Sequence, residues 1–226
     1  MEPMNATALF KDGRLTLWTP DQIPTLCKFA CANALDIKMA DVTVNTTHLG
    51  GGFGRRLEAD YSVYAALIAK SVPGRPVKVT WTREEDMTHD FYRPAAMARV
   101  KARIGADGLP QAMDIKVASP SIIRSILART MPSMSPAGPD RYIVTGTFDQ
   151  PYACANYRVS GAEVRTRVPV GMWRSVGNSI NGHFHELFID EIAAKSGKDP
   201  VAMRIAMLKD FPWAVKVVEK AAEMSG

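Results

Sequence analysis

Short strand patterns that close on tight turns alternate along this sequence with helix patterns, and this mixture limits the folds open to the chain. Apolar runs on both sides of Asp12-Gly13 predict a β-hairpin within Ala6–Trp18. A second hairpin is predicted where the alternating stretches Met97–Ile104 and Ala112–Ala118 flank Asp107-Gly108. Because hairpin strands pair antiparallel and helix patterns lie between them, the predicted class is α+β, with antiparallel or mixed sheets and packed helices.

The other elements follow from apolar periodicity and capping residues. Further strands are predicted at Val42–Val44, Pro76–Trp81 and Ala155–Arg167, and helices at Ile23–Leu35, Glu58–Ala69, Ile122–Ala128, Asn178–Lys195, from Asp199-Pro200 onward, and from Phe211-Pro212 to Ser225. Pro, Ser and Met recur without a clean period between Ser119 and Asp140. The sequence therefore predicts three parts: a first α+β portion (1–118), an irregular excursion (119–150) and a strand-plus-helix portion (151–226).

Charge and hydropathy exclude some classes of protein. The chain has 28 Lys and Arg against 23 Asp and Glu, a formal net charge of +5. The basic residues are scattered among carboxylates along the sequence, which argues against a nucleic-acid partner. No apolar run approaches the roughly 20 residues that a membrane-spanning helix needs. The N-terminus resembles neither a secretory signal nor a transit peptide, so the compartment stays open between cytoplasm and periplasm.

The cysteines and histidines form no pattern that predicts a metal site. Cys27 and Cys31 lie four residues apart on one face of a predicted helix, but no further ligand follows at a zinc-like spacing. We therefore predict two small buried helix residues. His183 and His185 flank Phe184 at the start of a predicted helix, where their side chains diverge by roughly 200°. No metal ligand is assigned.

A glycine loop, Gly50-Gly51-Gly52-Phe53-Gly54, lies between a predicted strand and a predicted helix. Glycines there permit positive φ and let a ligand approach the backbone, although a tight structural turn explains them equally well. The loop lacks the spacing of the dinucleotide fingerprint and the Gly-Lys-Ser/Thr of nucleoside triphosphatases, because Phe53 interrupts it and Arg55-Arg56 follow. A binder of some other phosphate ligand, using the loop and Arg55, remains an alternative.

Several motifs, taken in order, resemble one family over nearly the whole chain. They are Met1-Glu2-Pro3, Trp18-Thr19-Pro20-Asp21-Gln22, the glycine loop, Trp81-Thr82-Arg83-Glu84-Glu85-Asp86-Met87 with Arg93-Pro94, Met172-Trp173-Arg174-Ser175-Val176-Gly177, the helix with Glu186 and Asp190-Glu191-Ile192-Ala193, and Asp199-Pro200 with Arg204. This series resembles the large subunit of the molybdenum hydroxylases, the xanthine dehydrogenase and aldehyde oxidase family. Gly-Phe-Gly-Arg-Arg and Val-Pro-Val-Gly-Met-Trp-Arg-Ser are most similar to the branch with the isoquinoline 1-oxidoreductase β subunit.

The resemblance implies a cofactor, a reaction and a partner. The cofactor is molybdopterin, in bacteria usually the cytosine dinucleotide. The reaction is hydroxylation of an N-heterocycle, or oxidation of an aldehyde, with oxygen taken from water. Electrons leave through a small iron–sulfur subunit. The cofactor supplies most of this chemistry and the protein positions it.

The resemblance also assigns cofactor-binding residues. They are Gln22, whose amide is expected near the metal's oxo ligand, the backbone of Gly52, Phe53 and Gly54 beside the metal, and Met172, Trp173 and Arg174 on the pterin or its phosphates. Two alternatives stay open: Gln22 as an exposed residue at a helix start, and Arg174 as a surface ion-pair partner of Glu186 or Asp190. Leu57 stands where the xanthine-oxidising members have a substrate-binding glutamate, which favours a less polar substrate.

One family feature is missing from the sequence. The family's general base is a glutamate in a Gly-x-Gly-Glu motif, which does not follow Arg174 here. A general base must lie within hydrogen-bond reach of the proton it takes, so no catalytic residue is assigned. We expect a fragment that binds the cofactor and is inactive alone. The alternative is a non-catalytic α+β interaction module that keeps the fold without the cofactor.

Overall fold

The computed structural model describes residues 1–134 and 136–225, which form a mixture of strands and helices. The strands are β1 (Asn5–Lys11), β2 (Arg14–Thr19), β3 (Val42–Thr46), β4 (Pro76–Thr80), β5 (Met97–Ile104), β6 (Pro110–Ser119) and β7 (Asn156–Glu163). The helices are α1 (Pro24–Leu35), α2 (Asp60–Ser71), α3 (Arg83–His89), α4 (Ile122–Thr130), α5 (Asn178–Ser196), α6 (Pro200–Met207) and α7 (Pro212–Ser225), with short 3-10 turns at Met39–Asp41, Arg55–Leu57 and Arg141–Ile143. The predicted α+β class is confirmed.

Packing groups these elements into two compact units whose segments interleave along the chain. The first unit comprises Met1–Arg93, Ser125–Ser135 and Val168–Arg174, and the second comprises Pro94–Arg124, Pro136–Arg167 and Ser175–Gly226. This grouping differs from the linear division at residues 118 and 150, because two distant segments return to pack with the first 93 residues. The linear division stays a prediction about the sequence.

The first unit is a four-stranded sheet covered by two helices. Its strand order is β3-β2-β1-β4, with β1 antiparallel to both neighbours and β2 parallel to β3. The β1–β2 hairpin turns at Asp12 (φ 51°) and Gly13 (φ 74°), as a two-residue turn with the sheet's natural twist requires. Small residues of α1 and α2, such as Cys27, Cys31 and Ala65, pack on the sheet with Leu15 and complete the core.

The second unit is a three-stranded sheet packed against α5 and α6. Its order is β5-β6-β7, with β5 antiparallel and β7 parallel to β6. Alternate strand residues such as Met113 and Ile115 face Ile189 and Met203 of the helices, and the opposite face of the sheet carries polar residues. The amphipathic alternation noted in the sequence therefore orients this sheet.

Three details differ from the sequence prediction. Helix α3 was not predicted, although Thr82 caps it by accepting a hydrogen bond from the Glu85 backbone N–H at 3.1 Å, a capping-box signature. Strand β7 ends at Glu163 rather than Arg167. The two parallel pairs were not specified either, because they join segments distant in sequence. In the described part of the chain, every helix is too short or too polar to cross a bilayer.

Candidate functional site

The glycine loop has a backbone conformation that glycine favours, and Phe53 shares it. Gly51, Phe53 and Gly54 have φ of 93°, 51° and 91°. A Cβ on Gly54 would lie 2.6 Å from the Met172 carbonyl oxygen, and a Cβ on Gly52 would lie 2.5 Å from the Gln22 side chain. Both glycines are therefore required because other parts of the first unit approach them closely.

Gln22 closes one side of this loop. Its Oε1 accepts a hydrogen bond from the Gly54 N–H at 3.0 Å, and its own backbone N–H donates to the Arg56 carbonyl at 3.1 Å. The neighbouring Asp21 carboxylate accepts from the Ile23 N–H and turns the chain into α1. Because Oε1 is used by the loop, the Nε2 group is the part of the amide that remains to donate. Gln22 is exposed and lies just before α1, as the alternative interpretation expected, but its side chain also contacts the glycine loop.

The segment Val168–Arg174, which we call the aromatic segment, lies against the same loop. The Arg174 N–H donates to the Phe53 carbonyl at 2.8 Å, and the Trp173 indole N–H donates to the Phe91 carbonyl at 2.8 Å. The Arg93 guanidinium donates to the Arg174 carbonyl at 3.1 Å. Residues about 120 positions apart in sequence therefore meet through backbone contacts.

Backbone donors without protein acceptors cluster at this junction. Among the residues that the structure describes, the N–H groups of Gly52, Phe53, Met172 and Trp173 donate to no protein acceptor. Gly52 is buried, and an unpaired buried N–H is costly unless a ligand or water accepts from it. The alternating sign of φ from Gly51 to Phe53 is typical of loops that cradle anions with successive N–H groups. This donor set fits an electron-rich group with several acceptor atoms.

Arg55 and Arg56, which follow the loop, are engaged in the protein interior. Arg55 is 2% exposed, donates to both Asp60 oxygens at 2.9 and 2.8 Å, and pairs with Asp90 at 2.5 Å. Arg56 is fully buried and donates to the Pro20 carbonyl and the Glu2 carboxylate. Desolvation lowers the pKa of Arg55, but its hydrogen bonds to both carboxylates outweigh that effect and raise the pKa. The alternative of Arg55 as a ligand for an external phosphate is therefore wrong.

A buried ion pair holds the aromatic segment in place. Arg129 of α4 donates to both Glu58 carboxylate oxygens at 2.6 and 2.9 Å and to the Val170 carbonyl at 3.0 Å. Ser125, one turn earlier, accepts from the Val170 N–H at 3.0 Å and from Arg129 at 2.7 Å. The Arg129 guanidinium also lies 3.8 Å over the Phe91 ring. Both backbone polar groups of Val170 are thus fixed by α4.

We define Glu58, Ser125 and Arg129 as the clamp, and burial changes the pKa of its carboxyl group, Glu58. Desolvation raises the pKa of Glu58, and the Arg129 hydrogen bonds partly offset the shift. The side chains are 4% exposed for Glu58 and 23% for Arg129. Gly171 belongs to the same contact, since a Cβ there would lie 2.9 Å from Phe91 and 3.0 Å from a Glu58 oxygen.

The structure thus brings all seven residues assigned from sequence into one unit and around one junction. Glu186 and Asp190 both pair with Arg204, at 2.9 and 2.6 Å, and the ion-pair alternative for Arg174 stays a prediction. Sequence reasoning missed the clamp. Ser125 and Arg129 share one face of α4 at i and i+4, but the helix predicted from the sequence ended at Ala128 and left Arg129 out.

Cys27 and Cys31 are fully buried, as predicted for structural helix residues. The hydrogen bond with Cys27 and burial both raise the pKa of the Cys31 thiol, which disfavours the thiolate that a metal would need. Within residues 1–134 and 136–225, no three His, Cys, Asp or Glu side chains gather in a way that could hold a metal ion.

Most of the chain is similar to a known family and to known proteins. The family model for the molybdopterin cofactor-binding domain matches residues 1–208. The β subunit of isoquinoline 1-oxidoreductase from Brevundimonas diminuta is 32% identical over 228 residues, which cover all of this chain and 29% of the relative. A membrane-bound aldehyde dehydrogenase [pyrroloquinoline-quinone] from Gluconacetobacter polyoxogenes is 32% identical over 214 residues, 92% of this chain and 27% of the relative.

A solved structure shares the fold. The aldehyde oxidoreductase from Desulfovibrio gigas superposes with a TM-score of 0.74 over 90% of this chain and 22% of its own, at 21% identity. The chain therefore spans less than a third of the length of these relatives. At this level of identity the structural match shows the fold alone.

Proposed function

The chain belongs to the family of molybdopterin cofactor-binding domains, and from this membership we propose that the glycine loop and the aromatic segment together hold the pterin of a molybdenum cofactor. The observation that carries the proposal is the junction at Phe53 and Arg174, with unused N–H groups on both sides of it. Preorganised donors of this kind stabilise charge on a ligand without reorganising when it binds.

Each assigned residue has a role that its geometry permits. The N–H groups of Gly52 and Phe53 donate to ligand atoms from the loop, and those of Met172 and Trp173 donate from the aromatic segment. Gln22 supports the loop through Oε1 and offers Nε2 to the cofactor. Arg174 suits a phosphate, because a guanidinium can bind two oxygens at once. We propose the cytosine dinucleotide form on the resemblance to the bacterial branch.

We propose that this chain takes part in an oxidoreductase of the molybdenum hydroxylase type. When bound, the cofactor supplies the redox chemistry that inserts water-derived oxygen into the substrate. The proposed substrate class is an N-heterocycle or an aldehyde, in line with the names of the two relatives. Leu57 agrees with a less polar substrate, because it stands where xanthine-oxidising members have a substrate-binding glutamate. A small iron–sulfur subunit is the proposed electron acceptor. The residues of this chain hold the cofactor, and we expect no turnover from them alone.

Cofactor retention tests the proposal directly. The chain is produced in a host that makes molybdopterin dinucleotide, and molybdenum and pterin are measured per purified chain. We expect near-stoichiometric retention by the parent sequence. Gly52→Ala should retain little, because its Cβ displaces Gln22 from Gly54. Gly13→Ala is the control in the same unit: a Cβ there meets nothing within 4 Å, and its positive φ of 74° makes alanine at least as strained in backbone as at Gly52, where φ is not positive.

The two candidate functions then separate. A folded parent chain that retains neither molybdenum nor pterin would overturn the cofactor proposal and leave the interaction module. If Gly52→Ala and Gly13→Ala retained equal amounts of molybdenum and pterin, the junction would not be part of the cofactor site. Because we expect no turnover from this chain alone, the substrate class is tested by titrating the cofactor-loaded chain with isoquinoline and with benzaldehyde and comparing their binding.

A further inference from the structure

The outer face of the second unit's sheet is basic. Its exposed or half-exposed side chains alternate with the core positions along β5, β6 and β7. We define this basic face by its charged residues and the apolar or small residues beside them. They are Arg99, Lys101, Arg103, Asp114, Lys116 and Arg158, with Met97, Ala118, Ser160 and Ala162 at one end.

This face contains most of the chain's excess charge. Five of the 28 basic residues and one of the 23 acidic residues lie on it, which gives +4 of the formal +5. The other 23 basic and 22 acidic residues nearly balance. The charges that appear scattered along the sequence are therefore concentrated by the two-residue period of the strands.

The cations on the face are poorly compensated. The single carboxylate, Asp114, is taken by Arg158 at 2.9 and 2.7 Å. In the part of the chain that the structure describes, Arg99, Lys101, Arg103 and Lys116 form no salt bridge, although Lys101 lies opposite Asp114 across the β5–β6 pair. Arg99 lies directly opposite Lys116 across the β5–β6 pair. Like charges in that position destabilise a sheet, so the arrangement costs stability unless an anionic partner relieves it.

We propose that the basic face is a docking surface for a partner protein with an acidic surface. A groove of about 260 Å³ runs beside Arg99 and Lys116, lined by Met97, Val117, Ala118, Ser160, Gly161 and Ala162. Its small residues leave room for one anchoring side chain, and the surrounding cations select for acidic neighbours.

The composition of the face favours protein over nucleic acid. Arg and Met are enriched in protein–protein interfaces, and Met97 is 76% exposed here beside Arg99. None of the described side chains that define the face is aromatic, whereas proteins that bind single strands use aromatic rings to stack bases. The described residues of the face all lie on three sheet strands, so the face presents no helix to enter a duplex groove.

Binding of the full chain to poly-L-glutamate and to duplex DNA tests the proposal. The site variant is Arg99→Gln with Lys116→Gln. The matched control is Lys209→Gln with Lys216→Gln, which removes two exposed cations from the same unit and lowers the net charge equally. At low salt we expect the site variant to weaken poly-L-glutamate binding about tenfold and the control less than about twofold. The melting temperature of the site variant should be equal to the parent's or higher.

Three results would overturn the proposal. The first is absence of poly-L-glutamate binding by the parent chain at low salt. The second is equal weakening by the site and control variants, which would mean that net charge alone is responsible. The third is tighter binding of DNA than of poly-L-glutamate, lost in the site variant, which would assign the face to nucleic acid. A lower melting temperature of the site variant would contradict the cross-strand repulsion on which the argument depends.

Discussion

Replacing Arg129 by methionine should destabilise the first unit by an amount that the clamp geometry allows us to work out. Methionine fills much of the aliphatic volume but leaves the Glu58 carboxylate, 4% exposed, without its bidentate partner. Removing one member of a buried ion pair costs about 3–5 kcal/mol. Because Arg129 is 23% exposed, water can replace it in part. We therefore expect about 3 kcal/mol in the free energy of unfolding, the lower end of that range.

The loss should depend on pH in a defined direction. Burial already raises the pKa of Glu58, so the folded state binds this proton more tightly than the unfolded state. A raised carboxyl pKa contributes stability that is present below the unfolded value and lost as pH rises through the folded value. Without Arg129 the pKa of Glu58 rises further. The destabilisation should thus be largest near pH 8 and smaller near pH 5.5.

Urea unfolding followed by tryptophan fluorescence measures both effects, and hydrogen exchange of the aromatic segment localises them. Glu58→Gln combined with Arg129→Met is the control, because removing both charges should recover about half of the loss. A cost below about 1 kcal/mol, typical of an exposed ion pair, would refute the clamp. A cost that does not change between pH 8 and pH 5.5 would refute the role of the unpaired Glu58 carboxylate.

Two further predictions concern the site backbone and the second unit. Gly54→Ala should cost about 2–4 kcal/mol in unfolding free energy, because its Cβ meets a carbonyl oxygen at 2.6 Å and its φ is 91°; Gly182→Ala, inside α5 with nothing within 4 Å, should instead gain about 0.5–1 kcal/mol. Burial lowers the pKa of His185, so its contribution to stability is present above the unfolded value of 6.5 and is lost as pH falls below it. Urea titrations at pH 7.5 and 5.5 should show a smaller acid loss for His185→Phe than for the parent, and equal losses would contradict the shift.

Local signals predicted much of the fold because they act within a few residues. The Asp12-Gly13 hairpin and the Pro-initiated α6 were predicted from turn and capping chemistry, and both are present. The parallel pairs β2–β3 and β6–β7 were not specified, because their partners are fixed by packing of distant segments. Helix α3 had a usable signal in Thr82 and Glu85, which was interpreted only as part of a family motif.

For the candidate site, the sequence predicted some of the residues but not the contacts that bring them together. The resemblance supplied Gln22, Phe53 and Trp173, but residue chemistry alone gave no reason for the two stretches to meet. Arginine pairs after a loop are usually exposed, so the full burial of Arg56 could not be anticipated. Arg129 and Glu58 are 71 residues apart, and no local pattern connects them. The clamp depends on the tertiary fold and only the structure reveals it.

The glycines of the loop have a different purpose from the one that a ligand-approach argument assigns to them. The space where a Cβ would lie at Gly52 or Gly54 is taken by Gln22 and by the Met172 carbonyl, both protein groups. The missing side chains therefore let the protein assemble its own junction. What the junction offers a ligand is the set of N–H groups that this close packing leaves without acceptors. In the proposed function, assembly of the site and recognition of the cofactor thus use different backbone atoms of one junction. A substitution at Gly54 should weaken cofactor binding because it disturbs the assembly of that junction.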